Sequence, residues 1–173
     1  VNVGNGSVGT LDIGTYSGIL IGTLAGSGTI RITAAEAATA VFPTVTTNTF
    51  VTTAGSTVEY YGSTNYNLPA APAAYRILRI SGTGQTKSTS ALLRINQTLN
   101  LGGGLLSIGS NNLDIAVGAT VTGTPSSTNM ILANSTGLVR KYFNANGSFT
   151  SPFGTTGAYT PAALTSTAPP FTA

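Results

Sequence analysis

Few side chains in this sequence could carry out acid–base or metal chemistry. Among its 173 residues are four carboxylates, Asp12, Glu36, Glu59 and Asp114, and neither histidine nor cysteine. A Ser-His-Asp triad and metal sites built from imidazole or thiolate are therefore excluded. Calcium needs several converging oxygen ligands, and the four acidic residues are scattered along the chain. The sequence accordingly predicts no metal site and no cofactor.

Paired carboxylates are the remaining route to catalysis, because polysaccharide hydrolysis uses two of them roughly 5–9.5 Å apart. The repeat described below places Asp12 and Asp114 about five strands apart. At ~4.8 Å per strand they are separated by more than ~20 Å. Glu36 and Glu59 are about one repeat apart, but Glu59 falls on the outward phase of a strand and Glu36 in an Ala-rich loop. We therefore predict that the chain is not an enzyme.

A group of tyrosines and arginines is the best candidate for a ligand surface. Tyrosine rings pack against sugars or partner side chains, and arginine adds a fork of donors. A period of 19 residues puts Tyr60 and Arg79 at equivalent positions on neighbouring repeats. The alternative is that Tyr60 packs beneath a loop and Arg79 is an ordinary solvated side chain. The predicted surface consists of Tyr60, Tyr61, Tyr66, Tyr75, Arg76 and Arg79.

Composition narrows the class of protein. The chain is 41% hydrophobic but only 6% charged, whereas ordinary globular domains are about a quarter charged. Disordered chains are poor in apolar residues, so disorder is not expected. Apolar stretches stay far below the ~18 residues of a membrane span. The net charge of +3 comes from seven scattered basic residues, which do not form the dense basic stripe of a nucleic-acid-binding protein.

Short alternations of apolar and polar residues indicate strands with one buried and one solvated face. Leu11-Asp12-Ile13, Ile30-Arg31-Ile32 and Leu93-Arg94-Ile95 are examples. They are separated by Gly, Asn, Ser and Thr, as strands are by turns. The one run of helix formers, 34–38, is about a turn and a half long. The sequence therefore predicts an all-β protein.

The spacing of these strands indicates a solenoid. Two series, one from Ile13 to Val51 and one from Val58 to Ile115, repeat every 18–20 residues. Repeats of this length bury their apolar faces by stacking on their neighbours. We predict a right-handed parallel β-helix with coils of about 20 residues; a β-sandwich is the alternative. A phase break at 40–57, near Pro43, indicates an irregular coil or a change of strand. The residues predicted to point inward are Ile13, Ile32, Ile77, Ile95 and Ile115.

The C-terminal region differs in composition from the part of the chain that precedes it. Aromatic residues are absent from 76–141, and the region after it is rich in Pro, Phe and small residues. We predict solenoid coils over 1–140 and an exit segment over 141–173 that leads to a following module or a linker. The chain has neither a start Met nor a signal peptide, so we expect it to be an internal part of a longer protein.

Several segments carry a resemblance to a known class of protein. They include Thr57-Val58-Glu59-Tyr60-Tyr61-Gly62 and the segments at 75–87, 99–109, 130–140 and 147–161. Their order resembles the β-helix-like repeat regions of very large cell-surface and secreted proteins of Bacteroidetes. That group includes adhesins and gliding-associated filaments exported by the type IX secretion system. The resemblance covers roughly residues 55–165 and has no catalytic residues to transfer.

The resemblance implies an extracellular, cell-surface location and a structural or adhesive role, as a rigid spacer or adhesin stalk. Expected partners are surface glycans or other copies or modules of the same large protein, and the secretion machinery for the parent chain. Nucleic acid binding and membrane insertion of this segment are not expected. The alternative function is a carbohydrate-binding or polysaccharide-processing β-helix whose active site lies outside this segment.

Overall fold

The computed structural model describes residues 1–4 and 9–167. Parallel strands stack into a β-solenoid of about 7 turns with about 21 residues per turn, which confirms the predicted fold and repeat length. The strands, in chain order, are β1 Asn2–Val3, β2 Thr10–Gly14, β3 Leu20–Gly26, β4 Thr29–Ile32, β5 Thr44–Asn48, β6 Thr57–Tyr60, β7 Tyr66–Asn67, β8 Ala74–Ile80, β9 Thr86–Ser88, β10 Leu93–Leu101, β11 Leu105–Ser107, β12 Leu113–Ile115, β13 Thr120–Gly123, β14 Ile131–Leu132, β15 Val139–Lys141, β16 Gly147–Ser151, β17 Phe153–Thr155, β18 Ala158–Tyr159 and β19 Ala162–Ser166.

The largest sheet bends into two faces. Its strand order is β15-β12-β10-β8-β6-β4-β2, with β13 also paired to β10. A register shift between Ile95 and Thr98 marks the bend in β10. We call residues 77–80 and 98–101 together with β2, β4, β6 and β13 the main face. Residues 74–76 and 93–95 with β12 and β15 form the side face. A back sheet of β7, β9, β11, β14, β17 and β18 closes the solenoid, and β1, β3 and β5 pair separately in the first turns.

Each strand of the main face repeats one pattern, in which a β-branched residue is followed by an aliphatic one and then a polar one. Parallel pairing stacks like positions directly above each other. We call the outward β-branched row the threonine row; it consists of Thr10, Thr29, Thr57, Ile77, Thr98 and Thr120. The next outward row, which is polar, is Asp12, Arg31, Glu59, Arg79, Asn100 and Thr122.

The inward rows form one continuous apolar core. Four of the five isoleucines predicted to point inward, Ile13, Ile32, Ile95 and Ile115, are buried. The prediction was wrong for Ile77, which is half-exposed and stands in the threonine row. The chain bends from the side face to the main face just before it, so the alternation restarts there. Tyr75 and Leu78, three residues apart, consequently both point inward.

The irregular coil predicted at 40–57 is present. The step from Thr29 to its partner Thr57 spans 28 residues, longer than the other steps between main-face strands. This step contains β5, which pairs with β3 of the preceding turn, and a short 3₁₀ helix at Phe50–Thr52. Phe50 is fully buried, so the insertion contributes a large side chain to the core.

The parallel stack continues beyond the boundary predicted at residue 140. β17 pairs in parallel with β14, so parallel stacking extends to Gly154. β18 and β19 then return antiparallel against β17 and β16. Phe149 and Phe153 pack against the core. Over 141–167 the predicted exit segment is therefore the last turn and its closing strands, and 168–173 lies outside the described residues.

Candidate functional site

Three of the predicted ligand residues point into the solenoid. Tyr60, Tyr66 and Tyr75 are at most 2% exposed. The Tyr60 and Tyr75 rings meet edge to face with centroids 6.2 Å apart, and their hydroxyl oxygens are 3.0 Å apart. Tyr66 donates from its hydroxyl to the backbone oxygen of Tyr61 at 2.9 Å. These rings occupy inward rows and satisfy their hydroxyls inside, so they are not available to a ligand and the prediction was wrong for them.

Burial sets the ionisation of these three side chains. Removing a phenolate from water is costly, so desolvation raises the pKa of Tyr60, Tyr66 and Tyr75 well above the ordinary value of 10. They remain neutral over the physiological range.

The predicted pairing of Tyr60 with Arg79 is one residue out of register. Arg79 stands directly over Glu59, and Tyr60 stands beneath Ile80, because the step between β6 and β8 is 20 residues and not 19. Arg79, Tyr61 and Arg76 retain outward positions, and their role in ligand binding stays a prediction.

A row of alternating charges runs along the outside of the main face. Arg31 bonds Asp12 on one side at 3.0 Å and Glu59 on the other at 2.8 Å. Arg79 lies 3.5 Å from the second oxygen of Glu59. The Tyr61 ring lies under the Arg31 guanidinium at 4.0 Å, and its hydroxyl donates to Asp12. We call these five residues the charge row.

The charge row helps to fix the register between neighbouring turns. Opposite charges directly opposed on neighbouring strands stabilise one register, whereas a slip of one residue would place each charge opposite an inward-facing apolar or aromatic residue. The hydrogen bond that Arg31 donates to Glu59 raises the pKa of Arg31. Glu59 also accepts from Ser81 at 2.7 Å and is only 8% exposed, so it is covered and not solvated as expected.

The charge row also brings together two carboxylates that sequence reasoning did not pair. Asp12 and Glu59 lie two strands apart, or about 10 Å, which is near the spacing of an inverting glycosidase. The Arg31 guanidinium occupies the space between them, however. Such a pair needs that space for a sugar and a water, so its geometry does not suit catalysis.

The other carboxylates also have structural partners. Glu36 accepts the backbone N–H of Asn65 at 2.8 Å. Asp114 lies five strands from Asp12, as predicted. On the side face, Asp114 accepts from Arg140 Nε at 2.6 Å and from the Tyr142 hydroxyl at 3.3 Å, and it is 5% exposed.

Lys87 is a charged residue in an inward row, a position that no pattern in the sequence indicates. It is fully buried between Tyr66 and Leu106 on the back sheet. Its ammonium donates to the backbone oxygens of Gly62 at 3.2 Å and Thr64 at 2.5 Å, and lies 4.3 Å from the Tyr66 ring centroid. Desolvation lowers the pKa of Lys87 to about 8, partly opposed by the charge of Glu36.

We expect the free energy of unfolding to depend on pH through Lys87. Between pH 8 and about 10 the unfolded chain keeps this proton and the folded chain loses it, so stability rises with pH, by at most ~1.4 kcal/mol per unit. Above about pH 10 the three buried tyrosines reverse the trend, because only the unfolded chain ionises them. Urea unfolding from pH 7 to 11 measures both limbs. Lys87→Met should remove most of the rise and keep the fall, because desolvation lowers the pKa of Lys141 as well but to a smaller extent. A rise of unchanged size in this variant would contradict the assignment.

A cleft of about 420 Å³ lies at the end of the last turn beside Tyr142, Phe143 and Leu164. Within 1–4 and 9–167, no group of three or more His, Cys, Asp or Glu could hold a metal ion. No helix in that same part of the chain is long and apolar enough to cross a membrane. Comparison with protein-family models, with curated proteins and with solved structures gives no match.

Proposed function

We propose that this chain is a structural or adhesive module of a large extracellular protein, in which it acts as a rigid spacer or adhesin stalk. The observation that carries the proposal is the stack itself. About seven turns share one continuous core, and the outer charges of the main face pair from turn to turn. The charged groups of the main face thus hold neighbouring turns in register.

The stack suits a spacer because its length follows from the number of turns. Seven strands from β2 to β15 make six inter-strand steps, or roughly 29 Å along the axis. The core needs no disulfide to hold it, since the sequence contains no cysteine. Stacked parallel strands are hydrogen-bonded to their neighbours and leave little unpaired backbone for a protease to bind. Resistance to proteases favours a role outside the cell.

The proposed location rests on the resemblance to Bacteroidetes surface proteins exported by type IX secretion. Labelling intact and lysed cells of the source organism with an antibody against this chain tests it. We expect signal on intact cells that is lost after treatment with external protease. A signal that appears only after lysis would contradict the location.

We further propose that the chain works without catalysis. No release of reducing ends or unsaturated products is expected from any member of a polysaccharide panel. General acid–base catalysis needs titratable groups within reach of one bond, and Arg31 lies between the carboxylates of Asp12 and Glu59. Turnover by the native chain that disappears in an Asp12→Asn, Glu59→Gln variant would contradict this and support an enzyme.

Binding of a carbohydrate by the solenoid surface is the second candidate function. It is favoured by one observation: the side face presents three outward arginines, Arg76, Arg94 and Arg140.

A further inference from the structure

The net charge of the molecule is concentrated in one part of its surface. The charge row has two acids and two bases, and Glu36 offsets Lys87. The remaining charged residues are Arg76, Arg94, Asp114, Arg140 and Lys141, four bases against one acid, and they account for the whole net charge of +3. All five belong to the strands of the side face.

The three arginines of the side face are held in a common way. Each donates its Nε to a neighbouring side chain: Arg76 to Gln97 at 2.7 Å, Arg94 to Asn96 at 3.3 Å and Arg140 to Asp114 at 2.6 Å. Within 1–4 and 9–167, no hydrogen bond uses their terminal nitrogens. The guanidinium groups are therefore oriented by the sheet, and their paired terminal N–H donors remain for a bidentate anion.

An aromatic ring lies beside these arginines. The Tyr142 hydroxyl and Arg140 Nε both bond the Asp114 carboxylate, so ring and guanidinium lie together on the outer surface. Tyr142 is 37% exposed and borders the cleft of about 420 Å³ at the end of the last turn. An exposed ring next to oriented arginines suits a sugar that bears an acidic group.

We propose that the side face, through Arg76, Arg94, Arg140 and Tyr142, binds an acidic polysaccharide by its carboxylate or sulfate groups. The proposal rests on the adhesive form of the proposed function, because it names the ligand of that module. Arg94 and Arg140 lie two strands apart, which spaces them by about 10 Å. A spacing of about 10 Å between the two guanidinium groups suits a polysaccharide that carries about one charge per disaccharide. Duplex DNA has one charge per ~1.7 Å and calls for a denser basic surface.

Equilibrium binding of the full chain to four probes tests the proposal: hyaluronan, chondroitin sulfate, neutral dextran and a single-stranded DNA oligonucleotide. We expect salt-sensitive binding of the two acidic glycans and none of dextran. The double variant Arg76→Gln, Arg94→Ser should weaken hyaluronan binding at least tenfold. Tyr142→Leu should weaken it several-fold. Thermal melting establishes that each variant is folded.

Arg79→Gln is the matched comparison, because it removes one positive charge from the main face and so distinguishes the side face from the ligand surface that the sequence predicted around Arg79. It should leave hyaluronan affinity within about twofold of the native value. Equal losses in Arg79→Gln and in Arg94→Ser alone would overturn the assignment to the side face. DNA bound more tightly than either acidic glycan would identify a nucleic acid as the occupant. Absence of binding to all four probes would overturn the proposal and leave the spacer role intact, since surface labelling and rigidity test that role separately.

Discussion

Ile95→Asp is expected to destabilise the solenoid by more than about 4 kcal/mol. Ile95 is fully buried in β10, where it stacks between Tyr75 and Ile115. Aspartate removes the apolar contacts of the side chain and places an unpaired carboxylate between turns, where water cannot reach it. Losses of this size come from few mechanisms, and burial of an unpaired charge is one of them. Urea unfolding followed by circular dichroism measures the effect.

Arg94→Ser is the control for this experiment. Arg94 is the preceding residue, points outward and is exposed, so its replacement should change stability by no more than about 0.5 kcal/mol. Similar losses in the two variants would show that the in-out alternation of β10 is wrong.

Gly82→Ala should cost about 3 kcal/mol or more. Gly82 has a φ of +112°, and a Cβ there would lie 2.1 Å from the backbone oxygen of Gly62 on the preceding turn. The oxygen belongs to the backbone and cannot move without opening the stack. The strain of an unfavourable φ, about 1–3 kcal/mol, therefore adds to a steric clash between turns. Thermal and urea unfolding of the purified variant measure the loss.

Gly84→Ala separates the two contributions. Gly84 lies two residues further on with a φ of +70°, but a Cβ there would meet nothing within 4 Å. Its replacement should cost only the backbone strain, about 1–2 kcal/mol. If Gly84→Ala is as harmful as Gly82→Ala, the close approach between turns does not limit residue 82.

The period of the solenoid was predictable because stacking imposes it on the sequence. Thr10-Leu11-Asp12-Ile13, Thr29-Ile30-Arg31-Ile32 and Ile77-Leu78-Arg79-Ile80 are variants of one tetrapeptide. Alignment of these segments by pattern also places Ile77 among the threonines. Counting intervals between isoleucines alone missed this, because the bend before Ile77 shifts the phase by one residue.

The candidate site was less predictable, since it depends on which side of a strand each residue occupies. Tyr60 aligns with Ile13 and Ile80 in the tetrapeptide, and that alignment signals an inward side chain. A tyrosine-arginine cluster looks like a ligand surface until the phase is known. The contact between Tyr61 and Asp12 joins residues 49 positions apart, and no local pattern indicates it.

Lys87 shows a different limit to what the sequence can predict. Its inward row otherwise contains Tyr66, Leu106 and Ile131, and lysine is normally an outward residue. The backbone oxygens of Gly62 and Thr64 face the interior at a corner and accept hydrogen bonds from its ammonium group. Only the three-dimensional course of that corner reveals a place for an ammonium group.

Distances between pairs of spin labels on the threonine row test the rigid stack most directly. The chain has no cysteine, so Thr10→Cys paired with Thr98→Cys or with Thr120→Cys gives clean labelling. These pairs span four and five strand steps, or roughly 19 and 24 Å between backbones. The account predicts two narrow distance distributions whose centres differ by about one strand spacing. Broad distributions, or distances that do not increase from the first pair to the second, would contradict a rigid stack of parallel turns.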